Sequence, residues 1–349
     1  MSELSEQAVR QALTAVKYPG YSRDIVSFGL VQGITIEQDT VRVALQLSTA
    51  NAEVVRQIRQ EAERVLRTLP DVKQVQVDVS QPTAPPGSGA ASPWANQNRL
   101  AGVRRILAVA SGKGGVGKST VSVNLACALH QQGLQVGLLD CDIYGPSIPL
   151  MMGVRERPTL GEDHKMLPLV SHGVKLMSIG FLVDDTQPVI WRGPLIAKAI
   201  QQFFEAVAWG QLDVLLVDLP PGTGDAQLSL CQTVPLDGGI IVTTPQEASL
   251  GVVRKSIAMF QKVNVPITGL VENMSYFTAP NGERVEIFGH GGGRAEAERQ
   301  RVPFLGEIPI HTEIREGGDR GLPVVVSLPD SPPGRAFAQL ATAVKQLLA

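Results

Sequence analysis

A chain of 349 residues, 44% of them hydrophobic, is long enough to bury a sizeable core and to form two domains, so a soluble globular protein is the starting expectation. Its 31 basic and 33 acidic residues leave a formal charge of -2, which supplies no net field to gather nucleic acid or an anionic membrane, and neither is expected as a partner. Cys127, Cys141 and Cys231 are odd in number and widely spaced, which argues against a disulfide framework; with no signal-peptide core in MSELSEQAVRQAL and no apolar run of about 18 residues, the expected compartment is the cytoplasm.

In chain order, an amphipathic helical pattern covers residues 5–16, and strand-like runs follow in DIVSFGLV (24–31) and TVRVALQL (40–47). A helical pattern over residues 52–69 and a strand in VKQVQVDVS (72–80) complete this part. Val41, Val43, Leu45 and Leu47 share one face of an extended chain, which predicts a half-buried antiparallel sheet. Residues 1–79 therefore read as a small α+β domain. Pro, Gly, Ser and Ala then replace the apolar pattern, and residues 80–99 read as a flexible linker.

From residue 100 to 349 the pattern becomes short, nearly continuous apolar strands: RRILAVA, LQVGLLD, DVLLVDL, GGIIVTT, PITGLVEN and PFLGEIP, separated mostly by helical stretches. Strands apolar on both faces and alternating with helices predict an α/β domain, a mostly parallel sheet covered on both sides. Functional loops then lie at the carboxyl ends of the strands. The first such loop, SGKGGVGKST, satisfies G-x-x-x-x-G-K-[ST] through Gly112, Gly117, Lys118 and Ser119. Gly114, Gly115 and Val116 complete the curl, and Thr120 continues into the helix. Backbone N–H groups in such a loop surround phosphate oxygens, Lys118 neutralises the β and γ charges, and Ser119 is placed to ligate Mg²⁺.

Two acid-bearing strand ends extend the nucleotide reading from binding to hydrolysis. LLVDLPPGTGD places Asp218 where it can hold the water shell of Mg²⁺, with PPGTG beyond it to sense a γ-phosphate. LLDCDIYGPSIP carries Asp140 and Asp142 two residues apart, on one face if the strand continues, and Asp142 is the candidate base or water-orienting carboxylate.

With these motifs in hand, GKGGVGKST resembles the deviant P-loop of the MinD, ParA and nitrogenase iron protein class. Together with DCDIYGPSIP, DLPPGTGD, VENMSYF, IFGHGGG and IREGGDRGLPV it looks like the Mrp (ApbC) branch over residues 104–349. The N-terminal segment is similar to the small MIP18-like domain that often precedes this ATPase. The resemblance implies an ATP- and Mg²⁺-dependent homodimer in which Lys113, the first lysine of the loop, reaches the nucleotide of the other subunit. It implies that Asn273 hydrogen-bonds adenine and that the backbone at Pro309 and Ile310 packs on the base. It further implies an iron–sulfur cluster carrier serving apoprotein clients or assembly factors, with a Cys-x-x-Cys pair after ENMS.

That pair is absent: SYFTAPNGERVEI, residues 275–287, contains no cysteine, and thiolate is the ligand such clusters need. Cys127 and Cys231 read as core thiols, while Cys141, between the two acids, is the more accessible candidate iron ligand, although its neighbours disfavour thiolate. Two other functions stay open, a nucleotide-switched scaffold that binds a client without iron and a surface-positioning ATPase. GHGGGRAEAERQR reads as a glycine hinge before a charged, solvated helix, and His290 and His311 gain no metal reading. Phe337, Leu340, Ala341, Val344 and Leu348 share one face of a C-terminal helix, expected to pack on the domain rather than on a membrane.

Overall fold

The structure is a computed structural model, and it describes residues 5–16, 24–26, 30–37, 39–46, 52–69, 72–80, 100–143, 145–181, 200–201 and 204–348. Two compact units divide the chain, residues 1–91 and 92–349. Apart from Ser80, which ends a strand, the expected linker lies outside the described residues.

The first unit runs α1 (Glu6–Leu13), β1 (Val31–Glu37), β2 (Thr40–Gln46), α2 (Ala52–Leu66) and β3 (Gln74–Ser80). Ser5 caps α1 by accepting the Ala8 N–H at 3.2 Å. Val41, Val43 and Leu45 of β2 are buried, as their alternation requires, against Leu13, Ile58 and Leu66 of the helices. Two expectations need correction. The first strand occupies Val31–Glu37 and shares only Val31 with the expected run 24–31, of which residues 27–29 lie outside the described residues; a register shift between Val31 and Gly33 breaks the alternation that would have revealed it. The sheet is also mixed, because β2 pairs antiparallel with β1 but parallel with β3, the geometry that a helical crossover such as α2 makes possible.

In the second unit the chain begins with β4 (Val103–Ala110), α3 (Lys118–Gln131), β5 (Val136–Asp140), α4 (Ile148–Met151), β6 (Leu169–Ser171), β7 (Val174–Ser178) and β8 (Leu212–Asp218). It continues through α5 (Asp225–Thr233), β9 (Gly238–Thr243), α6 (Glu247–Lys262), β10 (Ile267–Glu272), β11 (Phe277–Thr278) and β12 (Arg284–Val285). The last elements are α7 (Gly292–Gln300), β13 (Phe304–Glu307), α8 (Thr312–Arg320), α9 (Val324–Ser327) and α10 (Pro332–Leu348). The described residues form an eight-stranded sheet in the order β13-β10-β9-β4-β8-β5-β7-β6. Every neighbouring pair is parallel except β6 with β7, a short hairpin that the sequence pattern did not announce.

Burial explains why the strands read as continuous apolar runs. Along β4, Ile106, Ala108 and Ala110 enter one core while Leu107 and Val109 enter a second on the opposite face. Both faces are covered, so both sets of side chains must be apolar. β4 lies centrally, with β9 on one side and β8 on the other, so the chain's connections diverge at its carboxyl end. That is where an open α/β sheet leaves a crevice.

Among the described residues no helix is long and apolar enough to cross a membrane. The C-terminal helix α10 buries Phe337, Leu340, Ala341 and Val344 in the core shared with α3. Its polar edge is tied down as well: Lys345 Nζ donates to the Gln132 carbonyl at 2.7 Å, and Gln132 Nε2 donates to the Ala338 carbonyl at 2.9 Å. Phe337 is 0% exposed. We expect Phe337→Ala to destabilise this unit by about 3–5 kcal/mol, read as a lower denaturant midpoint for its unfolding transition. An unchanged midpoint would mean that α10 is not part of the core.

Candidate functional site

The loop between β4 and α3 is shaped by two glycines with specific obligations. Gly117, the N-cap of the 14-residue helix α3, has φ 78, a left-handed conformation that glycine adopts without strain. A Cβ there would also collide with the Asn273 amide. At Gly112 a Cβ would lie 2.6 Å from Val252 Cγ1 of α6. Val116 is buried and anchors the loop, whereas Gly114 and Gly115 are exposed. Lys113 is half-buried, and its carbonyl accepts from Ser111 Oγ at 3.0 Å. The loop thus delivers the N-terminus of a long helix, a place where free N–H groups and the helix dipole favour an anion.

Behind the loop sits a buried charge cluster. Lys118 Nζ donates to Asp218 Oδ2 at 2.6 Å and lies 3.6 Å from Asp142 Oδ2. Asp218, fully buried, also accepts from Ser119 Oγ at 2.7 Å and, on its other oxygen, from Ser122 Oγ at 2.6 Å. Three donors on one carboxylate compensate a burial that would otherwise be costly. Sequence reasoning brought Lys118, Ser119, Asp142 and Asp218 to this place but overlooked Ser122. The signal was available, since positions 118, 119 and 122 are four and three residues apart and share a helix face.

The pair Asp140 and Asp142 is not arranged as expected. β5 ends at Asp140, and the Asp142 backbone N–H turns back to donate to Asp140 Oδ1 at 3.0 Å. The strand does not continue, so the two carboxylates do not share a strand face. Asp140 faces inward, where Ser178 Oγ donates to its other oxygen at 2.9 Å. Burial first, and then the charge of Asp218, push the Asp140 carboxyl well above the usual carboxylate range. Only Asp142 of the two contacts Lys118 directly.

Cys141 requires a second correction: expected to be the accessible thiol, it is 0% exposed. Its backbone N–H donates to the Asp218 carbonyl at 2.9 Å, which continues the β5–β8 ladder and turns the side chain into the core. Burial, reinforced by Asp140 and Asp218, raises its pKa well above that of an ordinary thiol. Burial also pushes Cys127 and Cys231 up to about 12. All three thiols are therefore buried and held protonated.

Asn273, at the end of β10, lies against the loop: its Nδ2 donates to the Val116 carbonyl at 2.8 Å. The segment after it runs beside the β13–α8 connection, with Ser275 N–H donating to the Ile308 carbonyl at 3.0 Å and Ile310 N–H to the Tyr276 carbonyl at 2.7 Å. Asn273 thus touches the P-loop, and Pro309 and Ile310 lie on the connection that runs beside the segment after it. The expected glycine hinge is in fact anchored, because Gly291 and Gly293 donate to the buried Glu272 carboxylate at 3.1 and 2.5 Å. Nor is α7 simply solvated: Glu296 is buried, paired with Arg254 at 3.0 Å. His290, which carried no metal reading, lies beside Glu272 and Glu307.

A helix N-terminus behind a glycine loop, a lysine inside it, and serine and carboxylate oxygens beside it are what binding of a nucleotide phosphate chain with its metal requires. Similarity to known proteins agrees. The family model described as NUBPL iron-transfer P-loop NTPase matches residues 102–345, and the one described as iron-sulfur cluster assembly protein matches residues 6–79. The chain is 43% identical over 347 residues to the iron-sulfur cluster carrier protein of Synechocystis sp., covering 97% of this chain and 96% of that one. It is 49% identical over 265 residues to the iron-sulfur cluster transfer protein NUBPL of Dictyostelium discoideum, covering 75% and 82%. Among solved structures, the nucleotide-binding protein of Archaeoglobus fulgidus in complex with ADP superposes with TM-score 0.57 at 43% identity, covering 63% of this chain and 87% of that one. The cell division ATPase MinD of Pyrococcus furiosus shares the fold with TM-score 0.54 at 24% identity, covering 70% and 99%. Its P-loop, its sheet and these matches make the chain a member of the NUBPL-type iron-transfer P-loop NTPase family, preceded by a unit of the iron–sulfur cluster assembly type.

Proposed function

We propose that the protein is a Mg²⁺-dependent, ATP-hydrolysing homodimer that takes up iron–sulfur clusters and passes them to apoprotein clients. The observation that carries the reading is the convergence of Lys118, Ser119 and Asp218 at the N-terminus of α3. Ser119 Oγ and Asp218 Oδ2, 2.7 Å apart, are the hard oxygen donors Mg²⁺ selects, and the residues fit that ion. Bound there, Mg²⁺ would neutralise charge on the β- and γ-phosphate oxygens. Lys118 supplies the intraloop cation, Asp142 orients the attacking water, and Asn273 with the Pro309–Ile310 backbone holds the base. Lys113 has no ion-pair partner among the described residues, which supports its assignment to a phosphate carried by the second subunit.

The cargo is where this chain departs from its resemblance. Residues 275–287 offer no thiolate, and the three cysteines are buried. Cluster retention is therefore expected to be brief, with ligands shared with the client or an external thiol. The same observation favours, as a second reading, a scaffold whose nucleotide-driven dimer engages a client without iron.

The two loop lysines separate in function. Lys118→Ala should abolish ATP binding in calorimetry, whereas Lys113→Ala should retain binding and lose turnover by roughly 10³-fold, the order associated with a cationic finger. Mixing Lys113→Ala with Asp142→Asn should restore part of the activity; a mixture that forms heterodimers yet gains nothing counts against the exchange of Lys113 between subunits.

Ser122 acts through Asp218 and is a positioning residue. Loss of a hydrogen bond to a charged group, about 1.5–3 kcal/mol, converts to roughly 10- to 150-fold. We expect Ser122→Ala to lower ATP turnover by that factor and to raise the Mg²⁺ concentration needed for half-maximal rate, with Ser122→Thr restoring both. A purely structural role would leave the Mg²⁺ dependence unmoved.

For the cargo, anaerobic reconstitution should give a cluster that a chelator removes within minutes, equally in the wild type and in Cys141→Ser. A stoichiometric, chelator-resistant cluster would overturn the expectation of brief retention. No iron uptake, with ATPase activity intact, would favour the scaffold.

A further inference from the structure

We propose that Glu272, His290 and Glu307 form a binding site for a single divalent first-row transition ion, with the guanidinium of Arg284 as the built-in cation that competes with it. The three residues come from the end of β10, the loop before α7 and the end of β13. None belongs to the stretch 275–287 in which the family resemblance looks for cluster thiolates. The site uses none of the side chains of the Lys118–Asp218 cluster. The proposal stands independently of the cluster-carrier reading.

The geometry is that of donor atoms already gathered. His290 Nδ1 is 3.8 Å from Glu272 Oε1 and 3.9 Å from Glu307 Oε2. All three donor atoms lie within 4.8 Å of one another; ligands held at roughly 2.1 Å from a tetrahedral ion sit about 3.4 Å apart, so the imidazole needs to close on each carboxylate by only a few tenths of an ångström, and rotation of the less buried Glu307 carboxylate brings in the third ligand. One imidazole and two carboxylates suit Fe²⁺, Mn²⁺, Co²⁺ or Zn²⁺ and would not select the soft ions that thiolates prefer.

Glu272 is held for the task. Gly291 and Ser275 donate to its Oε1 at 3.1 and 2.5 Å, and Gly293 donates to Oε2 at 2.5 Å, which fixes the carboxylate plane. Such outer hydrogen bonds orient ligands before an ion arrives. Ser275 Oγ is also 3.1 Å from His290 Nδ1, and its hydroxyl hydrogen can turn away from Oε1 as an ion enters. Glu272 is fully buried, His290 is 31% exposed and Glu307 19%, so the site opens to solvent through the imidazole.

Two carboxylates that face one space need positive charge near it. In this structure Arg284 provides it, with one guanidinium nitrogen 3.3 Å from Glu307 Oε2 and 2.9 and 3.2 Å from the two His290 ring nitrogens. A nitrogen that close to both ring nitrogens lies over the imidazole face. The in-plane direction of Nδ1 is thereby left to Ser275 Oγ, at 3.1 Å, and the two carboxylates, so an entering ion displaces the serine contact. Arg294 also faces the cluster, 3.6 Å from Glu307 Oε1, and counts against a second cation. Arg284 is the more removable of the two neighbours: it sits on the short exposed strand β12, where its guanidinium also stacks 3.8 Å from the Tyr276 ring. It can leave the carboxylates and keep an aromatic partner.

The test uses the full chain, purified without nucleotide and stripped by chelator, titrated with Co²⁺ and followed by visible absorption and calorimetry. The expected result is one Co²⁺ per chain, lost in His290→Ala and in Glu307→Gln, unchanged in His311→Ala, and about tenfold tighter in Arg284→Gln. ATP binding, which uses none of these side chains, reports that each variant is folded. Should His290→Ala fold badly, Arg284→Gln still decides, because it changes only an exposed side chain. Equal Co²⁺ binding in the wild type and His290→Ala, loss that follows His311, or no tightening in Arg284→Gln would each overturn the assignment.

Discussion

The second unit is organised around a buried ammonium and a buried carboxylate, Lys118 and Asp218, 2.6 Å apart at the centre of the sheet's carboxyl edge. Neither charge tolerates burial alone, so each fixes the other's position, and the serines of α3 satisfy the oxygens that remain. Because Asp218 ends β8 and Lys118 begins α3, the pair sets the approach of the helix to the sheet. Cys141, whose backbone extends the ladder onto Asp218, fixes the acid loop in the same frame. The phosphate loop, the acid loop and the strand end are in this sense one polar object in an apolar sheet.

A second polar hub follows the same logic with different chemistry. Glu272 ends β10 inside the fold, and its carboxylate collects backbone N–H groups from Gly291, the N-cap of α7, and from Gly293 in its first turn. A carboxylate at a helix N-terminus is favourable, and here it also determines where His290 must stand. The glycines that looked like a hinge are held by it. Rigidity at that turn comes from an acid one sheet strand away, which the local sequence GHGGG does not contain.

What was legible in the sequence was whatever depends on short-range pattern. Strands buried on both faces write themselves as continuous apolar runs, so β4, β5, β8, β9, β10 and β13 could be placed, and the loop motif fixed Gly112, Lys118 and Ser119 through local backbone demands. The β6–β7 hairpin carried too short an alternation, and Gly33 interrupted that of β1. Accessibility proved harder. Cys141 lies between two acids, yet ladder pairing with Asp218 turns its side chain inward, and flanking polarity does not reveal that. Ser122 needed only helical spacing to be noticed. Glu272, His290 and Glu307 needed the topology itself, since β10 and β13 become neighbours through a crossover that no local pattern specifies.

One contact ties the two banks of the crevice together. The Asn273 amide lies over the Cα of Gly117 and donates to the Val116 carbonyl, so the end of β10 and the curl after β4 are packed directly on one another. Substitutions in VENM and in GVGK will therefore not add as independent sites do. A larger residue at 117 meets two obstacles, the left-handed backbone and the Asn273 amide, and a smaller residue at 273 removes only the second. The two motifs, 156 positions apart when counted from Gly117 to Asn273, form one unit of inheritance.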